Sequence, residues 1–464
     1  MKTYVILLLA ATTAMADGGG LNEKYTAWKY AIEVQAKNGE TFARPGEIVD
    51  VGLAIPTDRA ANLKGDLRVV QKRGFDLLLR EIPAQIYGLK TSGDRTEFRV
   101  IFKADFQPSS TERFAVFYDN PKALPDEGQP GIGIQQAPQA LSLETPFYSV
   151  KIDPATGQCM ALESRIPGNQ PIYRGGGFFP LPVVTVPSGS GDMAQPTGLE
   201  AARAPGHPDQ VIVGPVFSEI KGSRELVAAH GDAVARVKFV YLFLKDERYF
   251  VVKSSLHFLK DTPVYAVELN RFAADQAELT HYFFRPYTPS FRPTEIEEVG
   301  SIMVDAGTRK GLPNADLLAG MLPVDLAWHA VGNIDKGFSV TAFNLSSHSS
   351  GTNSPVPNYR PATRARVRSG LVELSNAPIC VGTQKGALNT VSVPKGTVFE
   401  EAQAISFSDW NNGGWRSVTD QLGRQLNTAL EITVYPQTYR TVGQLPVLPH
   451  HGERGGAYER SGIR

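Results

Sequence analysis

One strand-like stretch, HYFFRPY, carries the side chains of a proton-transfer site at alternating positions: His281, Arg285 and Tyr287. An extended chain sends alternate side chains to the same side, so these three line one face over roughly 20 Å. An imidazole takes up a proton near neutral pH, a guanidinium neutralises a carboxylate, and a phenol returns a proton to a leaving oxygen. Removing a proton α to a carboxylate and expelling an oxygen leaving group needs those three services. The span is too long for all three to reach one atom, so another strand must supply a partner. Tyr282 points to the opposite face and is the alternative acid. The bland reading is an aromatic cross-strand ladder around a satisfied core histidine.

Other residues could complete such a site. His329 in LAWHAVGN, beside Trp328, is a second candidate base or stacking platform, although a lone histidine in an apolar strand is commonly a buried, hydrogen-bonded one. His257 shares a strand face with Lys253 and Ser255, and Glu268 shares one with Asn270. The segment SDWNNGGWRS, Ser408 to Ser417, sets Trp410 and Trp415 beside Asn411 and Arg416 around a Gly-Gly turn. Tryptophan stacks on pyranose faces, while amides and guanidinium bond hydroxyls and carboxylates. A structural Trp pair at a helix start is the alternative. Asn344, Ser347 and His348 are expected in a polar rim loop. No metal-ligand spacing stands out. A Ca2+ ion near Asp325, Glu268 and His281 is compatible with the residue types, and no cofactor is required by the sequence.

Short β-type segments broken by Gly, Pro, Asn and Asp dominate the elements that must hold these groups. Seven such segments between residues 25 and 120 predict a small β-sandwich. Residues 121–140, rich in Pro, Gly and Gln, read as a linker. A larger β-sandwich is expected over 141–440, with 441–464 as a loose tail. Within it, the glycine-rich YRGGGFF and the segment after it read as a long irregular loop that could cover the cleft, and because no helix follows the glycines a phosphate-loop reading is unsupported. Arg248–Tyr287 reads as three successive strands. Trp415 to Leu430 carries the one good helical period, with Val418, Leu422, Leu426 and Leu430 four apart, and is expected on the back of the sheet. The fold class is all-β.

The chain has 464 residues, with 47 basic and 47 acidic side chains. Zero net charge argues against a general nucleic-acid or anionic-membrane binder. Met1-Lys2, the apolar run Val5–Ala11 and Ala14-Met15-Ala16 have the pattern of a secretory signal over residues 1–16, too short to span a bilayer. A secreted or periplasmic location is the expectation. The two cysteines, Cys159 and Cys380, either pair or stay as separate buried thiols.

LETPFYSVKIDPATGQCMALESR resembles the opening hairpin of β-supersandwich domains in the galactose-mutarotase-like superfamily. VIVGPVFSEIKGS is similar to the strand that follows there, including the sandwich regions of family 38 glycoside hydrolases and of several polysaccharide lyases. The order of small sandwich, linker and hairpin is similar to that of exo-acting rhamnogalacturonan lyase-like proteins. The resemblance covers about Leu141 to Tyr435 and implies a supersandwich acting on a polysaccharide or oligosaccharide. A polysaccharide lyase working by β-elimination is the first expectation. A non-catalytic glycan-binding protein, or a hydrolase or epimerase on the same scaffold, is the alternative, because fold does not fix chemistry. Nothing in the sequence matches a hydrolase catalytic domain ahead of the sandwich.

Overall fold

The structure, a computed structural model, describes residues 24–439 apart from 74–76, 124–130, 179–181, 189–194, 202–209, 229–230, 276–277, 279–280, 287–303, 306–325, 334, 352–361, 369–370, 381–389, 410–414 and 436–437. Tyr287, Trp410, Asn411 and Asp325 lie outside the described residues. The architecture is all-β, in two compact units.

The first unit pairs a six-stranded sheet with a three-stranded one. Alternation along Arg44–Pro56 and Arg95–Phe106 turns Val49, Val51, Leu53, Phe98, Val100 and Phe102 into a common core. Burying each such side chain contributes about 1.5–3 kcal/mol. The expected boundary at residue 440 is corrected here. Glu431–Val434 pairs antiparallel with Tyr30–Lys37, with Val34 opposite Val434 and Lys37 opposite Glu431. Leu430 and Val434 pack on the first unit's core. The chain therefore returns to the first unit at Leu430, and the second spans Pro130–Ala429.

The second unit has two five-stranded sheets, a ten-stranded sheet and one two-stranded pair. The first five-stranded sheet grows from the hairpin Tyr148–Ile152 and Cys159–Ser164. Its turn is set by Asp153, whose Oδ1 accepts from Ala155 N at 2.8 Å and whose Oδ2 accepts from the Thr156 hydroxyl at 2.8 Å. Gly157 closes the turn at φ +79°, a left-handed conformation that favours glycine. The segment expected as an irregular loop instead forms strands Gln170–Phe178, Val183–Ser188 and Gln195–Gly198. Register shifts between Gln170–Phe178 and Cys159–Ser164 absorb the glycines within a ladder. Cys159 is a free, buried thiol.

In the centre of the ten-stranded sheet, Tyr249–Phe258, Val398–Asp409, Phe338–Ser350, Leu326–Asn333 and His281–Pro286 are successive neighbours. One face carries Phe250, Val252, Val331, Val340, Ala342, Ile405 and Phe407 in a hydrophobic cluster. That inner face meets the second five-stranded sheet, where Phe272 and Leu374 join the same cluster. A second cluster gathers Leu256, Phe258 and Phe399 with Val267, Leu269 and Ile379. Helix Trp415–Asn427 lies on the other face, as its period implies, and a Cβ at Gly423 would stand 3.1 Å from Phe343 and 3.9 Å from Trp328.

Candidate functional site

Cross-strand register sorts the candidate residues by face. On the outer rows, Gly332 is opposite Ser339, and Ser339 opposite Ser408. Next come Ala330, Thr341 and Ser406, then Trp328, Phe343 and Ala404. The strand His281–Pro286 extends these rows, with His281 opposite Gly332, Phe283 opposite Ala330 and Arg285 opposite Trp328. The intervening rows run through Tyr282, Val331, Val340 and Phe407, and through Phe284, His329, Ala342 and Ile405. Those are the core rows. His281 and Arg285 thus belong to the outer rows, whereas Tyr282 and His329 belong to the inner ones.

The outer rows form a floor of small residues bearing hydroxyls. Ser339, Thr341 and Ser406 are at most 1 % exposed, and their hydroxyl oxygens have no hydrogen-bond partner. Directly opposed side chains such as Thr341 and Ser406 have Cβ atoms about 4.5–5.5 Å apart. Thr419 of the helix, one turn before Gly423 and on the same helical side, is also buried with an unpartnered hydroxyl. Buried polar groups are normally paired, so the free hydroxyls of Ser339, Thr341 and Ser406 form a reserve of bonding capacity on the outer rows. Trp328, only 7 % exposed, lies beneath the helix and bounds this floor. The helix covers Trp328 as it covers the hydroxyls of the floor. The strand Val398–Asp409 ends beside this floor, and the segment holding Trp410 and Asn411 joins it to the helix that begins at Trp415 and Arg416.

His329 sits elsewhere. It is 2 % exposed in the apolar interior, its Nδ1 has no partner, and burial alone pushes the imidazole down to about 4. Facing the core, it lies in a row that alternates with the row of His281. Its expected role as a base is corrected on that ground. His257 is exposed on the outer face, opposite Val398, roughly 30 Å along the strand from Ser408.

Glu268 and Asn270, expected on one face, are split by two register shifts in Ala266–Asp275. Glu268 accepts a 2.7 Å bond from the Ser375 hydroxyl. Asn270, at φ +42°, turns the other way and accepts from Ser254 Oγ at 2.9 Å across the sandwich. The left-handed residue adds one position to the alternation, which is what a bulge does. Asn344, expected in a rim loop, is likewise interior: it lies in a strand that runs to Ser350 and accepts from Asn376 and Gln403.

Sequence reasoning missed the hydroxyls. Their signal is present in FSVTAF and ISFSD, where Ser and Thr alternate with Val, Ala, Ile and Phe. Among the described residues, no group of three or more His, Cys, Asp or Glu is placed to hold a metal ion, and no helix is long and apolar enough to cross a membrane.

No protein-family model and no curated protein matches the chain. Among solved structures, it is similar to an α-mannosidase from Enterococcus faecalis V583, at 15% identity and a TM-score of 0.50, covering 92% of this chain and 48% of that one. It is also similar to a glycosyl hydrolase family 38 protein from Enterococcus faecalis, at 13% identity and a TM-score of 0.50, covering 88% and 47%. A galactose mutarotase-like protein from Clostridium acetobutylicum aligns at 8% identity, with a TM-score of 0.34 over 60% of this chain and 99% of that one, too low for the likeness to bear on this chain. The chain spans about half the length of the two Enterococcus proteins. At such identities, the first two likenesses establish a shared fold.

Proposed function

We propose that this protein is exported and acts on a carbohydrate, with its site on the outer rows of the ten-stranded sheet beside the helix. The observation that carries the reading is the register of His281 and Arg285 with the rows of Ser339, Thr341, Ser406 and Trp328. Unpartnered hydroxyls suit a polyhydroxylic ligand, because each both donates and accepts. The fold likeness to an α-mannosidase and a family 38 glycosyl hydrolase supports a sugar ligand, and the signal pattern of residues 1–16 supports export.

The finer reading is β-elimination on a uronate-containing glycan. His281 takes the proton α to the carboxylate, Arg285 neutralises the carboxylate as negative charge builds, and the bond to the leaving oxygen breaks as the double bond forms. Tyr287 or Tyr282 returns a proton to that oxygen; the inner-row register of Tyr282 favours Tyr287. The fold likenesses lend nothing to the lyase step, which rests on these residue types alone. His329 is buried in the core rows, and a purely binding role is the second reading.

Incubation with a panel of uronate polymers tests the step. Ultraviolet-absorbing unsaturated products, lost in His281→Ala, are expected. Saturable binding without product would leave the binding role and remove the lyase.

A further inference from the structure

The interior of the second unit is divided by a polar seam. Phe399, Glu401, Gln403, Ile405 and Phe407 alternate along one strand, so Glu401 and Gln403 interrupt an otherwise apolar inner face. Ser254 does the same between Val252 and Leu256 on the neighbouring strand, where it is opposite Glu401. From the facing sheet, Asn376 Nδ2 donates to Asn344 Oδ1 at 2.9 Å and to Glu401 Oε2 at 3.1 Å. Gln403 Nε2 donates to the same Asn344 oxygen at 2.8 Å, and Ser254 Oγ donates to Asn270 Oδ1 at 2.9 Å. The two hydrophobic clusters of the unit lie on either side of this seam.

Two atoms in the seam are left over, and they are of opposite kind. Asn270 Nδ2 is a buried donor without a partner, and Gln403 Oε1 is a buried acceptor without one; each side chain is 1 % exposed. Turning the Asn270 amide over would let the Ser254 hydroxyl accept from Nδ2 but leave Oδ1 unpartnered instead, and turning Gln403 over would set its oxygen against the Asn344 oxygen. Ser254, which holds Asn270, and Gln403 stand on adjacent strands one step apart on the same face, diagonal neighbours about 7–8 Å apart at the backbone. A donor and an acceptor left over in one seam call for a small molecule that accepts from the first and donates to the second.

We propose that an internal water molecule is bound in this seam, accepting from Asn270 Nδ2 and donating to Gln403 Oε1. Buried waters occupy sites of this type, polar and furnished with several partners. The water also accounts for the left-handed Asn270: the backbone turns its amide inward, giving Ser254 an acceptor and the water a donor. This inference is independent of the proposed carbohydrate site, which lies on the other face of the ten-stranded sheet.

A near-atomic-resolution crystal structure of the full chain tests it. One ordered water within about 2.7–3.2 Å of both Asn270 Nδ2 and Gln403 Oε1 is expected. Direct contact between the two amides, or a dry seam, would overturn the proposal. Magnetic relaxation dispersion of water provides a second reading in solution. Gln403→Met, close in volume but without an acceptor, should lose one long-lived water relative to the wild type, and an unchanged count would refute the bridge.

Discussion

Arg224 Nε donates to the carbonyl oxygen of Ala155 at 2.6 Å, tying the Asp153–Gly157 turn to the ten-stranded sheet. Its Nη2 donates to Pro154 O at 2.8 Å, and its guanidinium lies 5.7 Å from the Phe239 ring. The turn of the opening hairpin is therefore held by bonds that fix the fold. Arg224→Met should cost about 2–4 kcal/mol in urea unfolding, because the buried carbonyls lose charged donors. Glycan binding by the folded variant should be unchanged. A stability within experimental error of wild type would show the turn to be anchored by other contacts.

Gly157 tests the same docking from the other side. A Cβ there would lie 2.1 Å from Phe239 Cζ, and φ is +79°. Gly157→Ala should destabilise more strongly than a surface substitution, by about 2–4 kcal/mol. Phe239→Leu in the same chain should recover only part of that loss, since the backbone strain remains. Full recovery would mean that the ring clash is the entire effect.

His329 predicts a pH dependence of stability. Its folded-state value of about 4 lies below the unfolded value of 6.5, so the unfolded chain binds more protons between these limits. Stability is fully present above the unfolded value, falls with pH through the window, and levels off below about 4, a total loss of about 3 kcal/mol. His329→Leu should flatten that part of the curve. Equal slopes for variant and wild type would show that the imidazole is not buried in its neutral form.

Truncation after Ala429 should weaken the first unit selectively. Residues 431–434 supply an edge strand to Tyr30–Lys37, and Tyr435 Oη donates to Gln35 Oε1 at 2.7 Å. Calorimetry should show a lowered or lost transition for the first unit and a retained one for the second. Two unchanged transitions would mean that the returning strand contributes little.

Much of the fold is legible in the sequence because alternation is a local property. Phe399–Phe407 and Phe250–Phe258 read directly as strands with one apolar face. The helix is legible from its four-residue period. The return of residues 431–439 to the first unit is not, because strand pairing across hundreds of residues leaves no local mark. The opposite facing of Glu268 and Asn270 is not legible for a different reason: one left-handed residue shifts the alternation, and asparagine adopts that conformation without any sequence flag. His329 and Trp328 are adjacent in sequence, so the strand necessarily sends one into the core and the other under the helix, though residue types do not say which. The hydroxyl floor is visible as Ser and Thr at period two, yet such residues are also ordinary on solvated strands.

The central claim is that the proposed carbohydrate site lies on the outer rows of the ten-stranded sheet, the rows to which His281 and Arg285 belong by register. Calorimetric titration of uronate oligosaccharides into wild type and Thr341→Val tests it most directly. Valine keeps the shape and removes only the hydroxyl, so stability should hold or rise by about 1 kcal/mol while affinity falls about five- to tenfold. A Thr341→Val protein that binds as tightly as wild type would contradict the account.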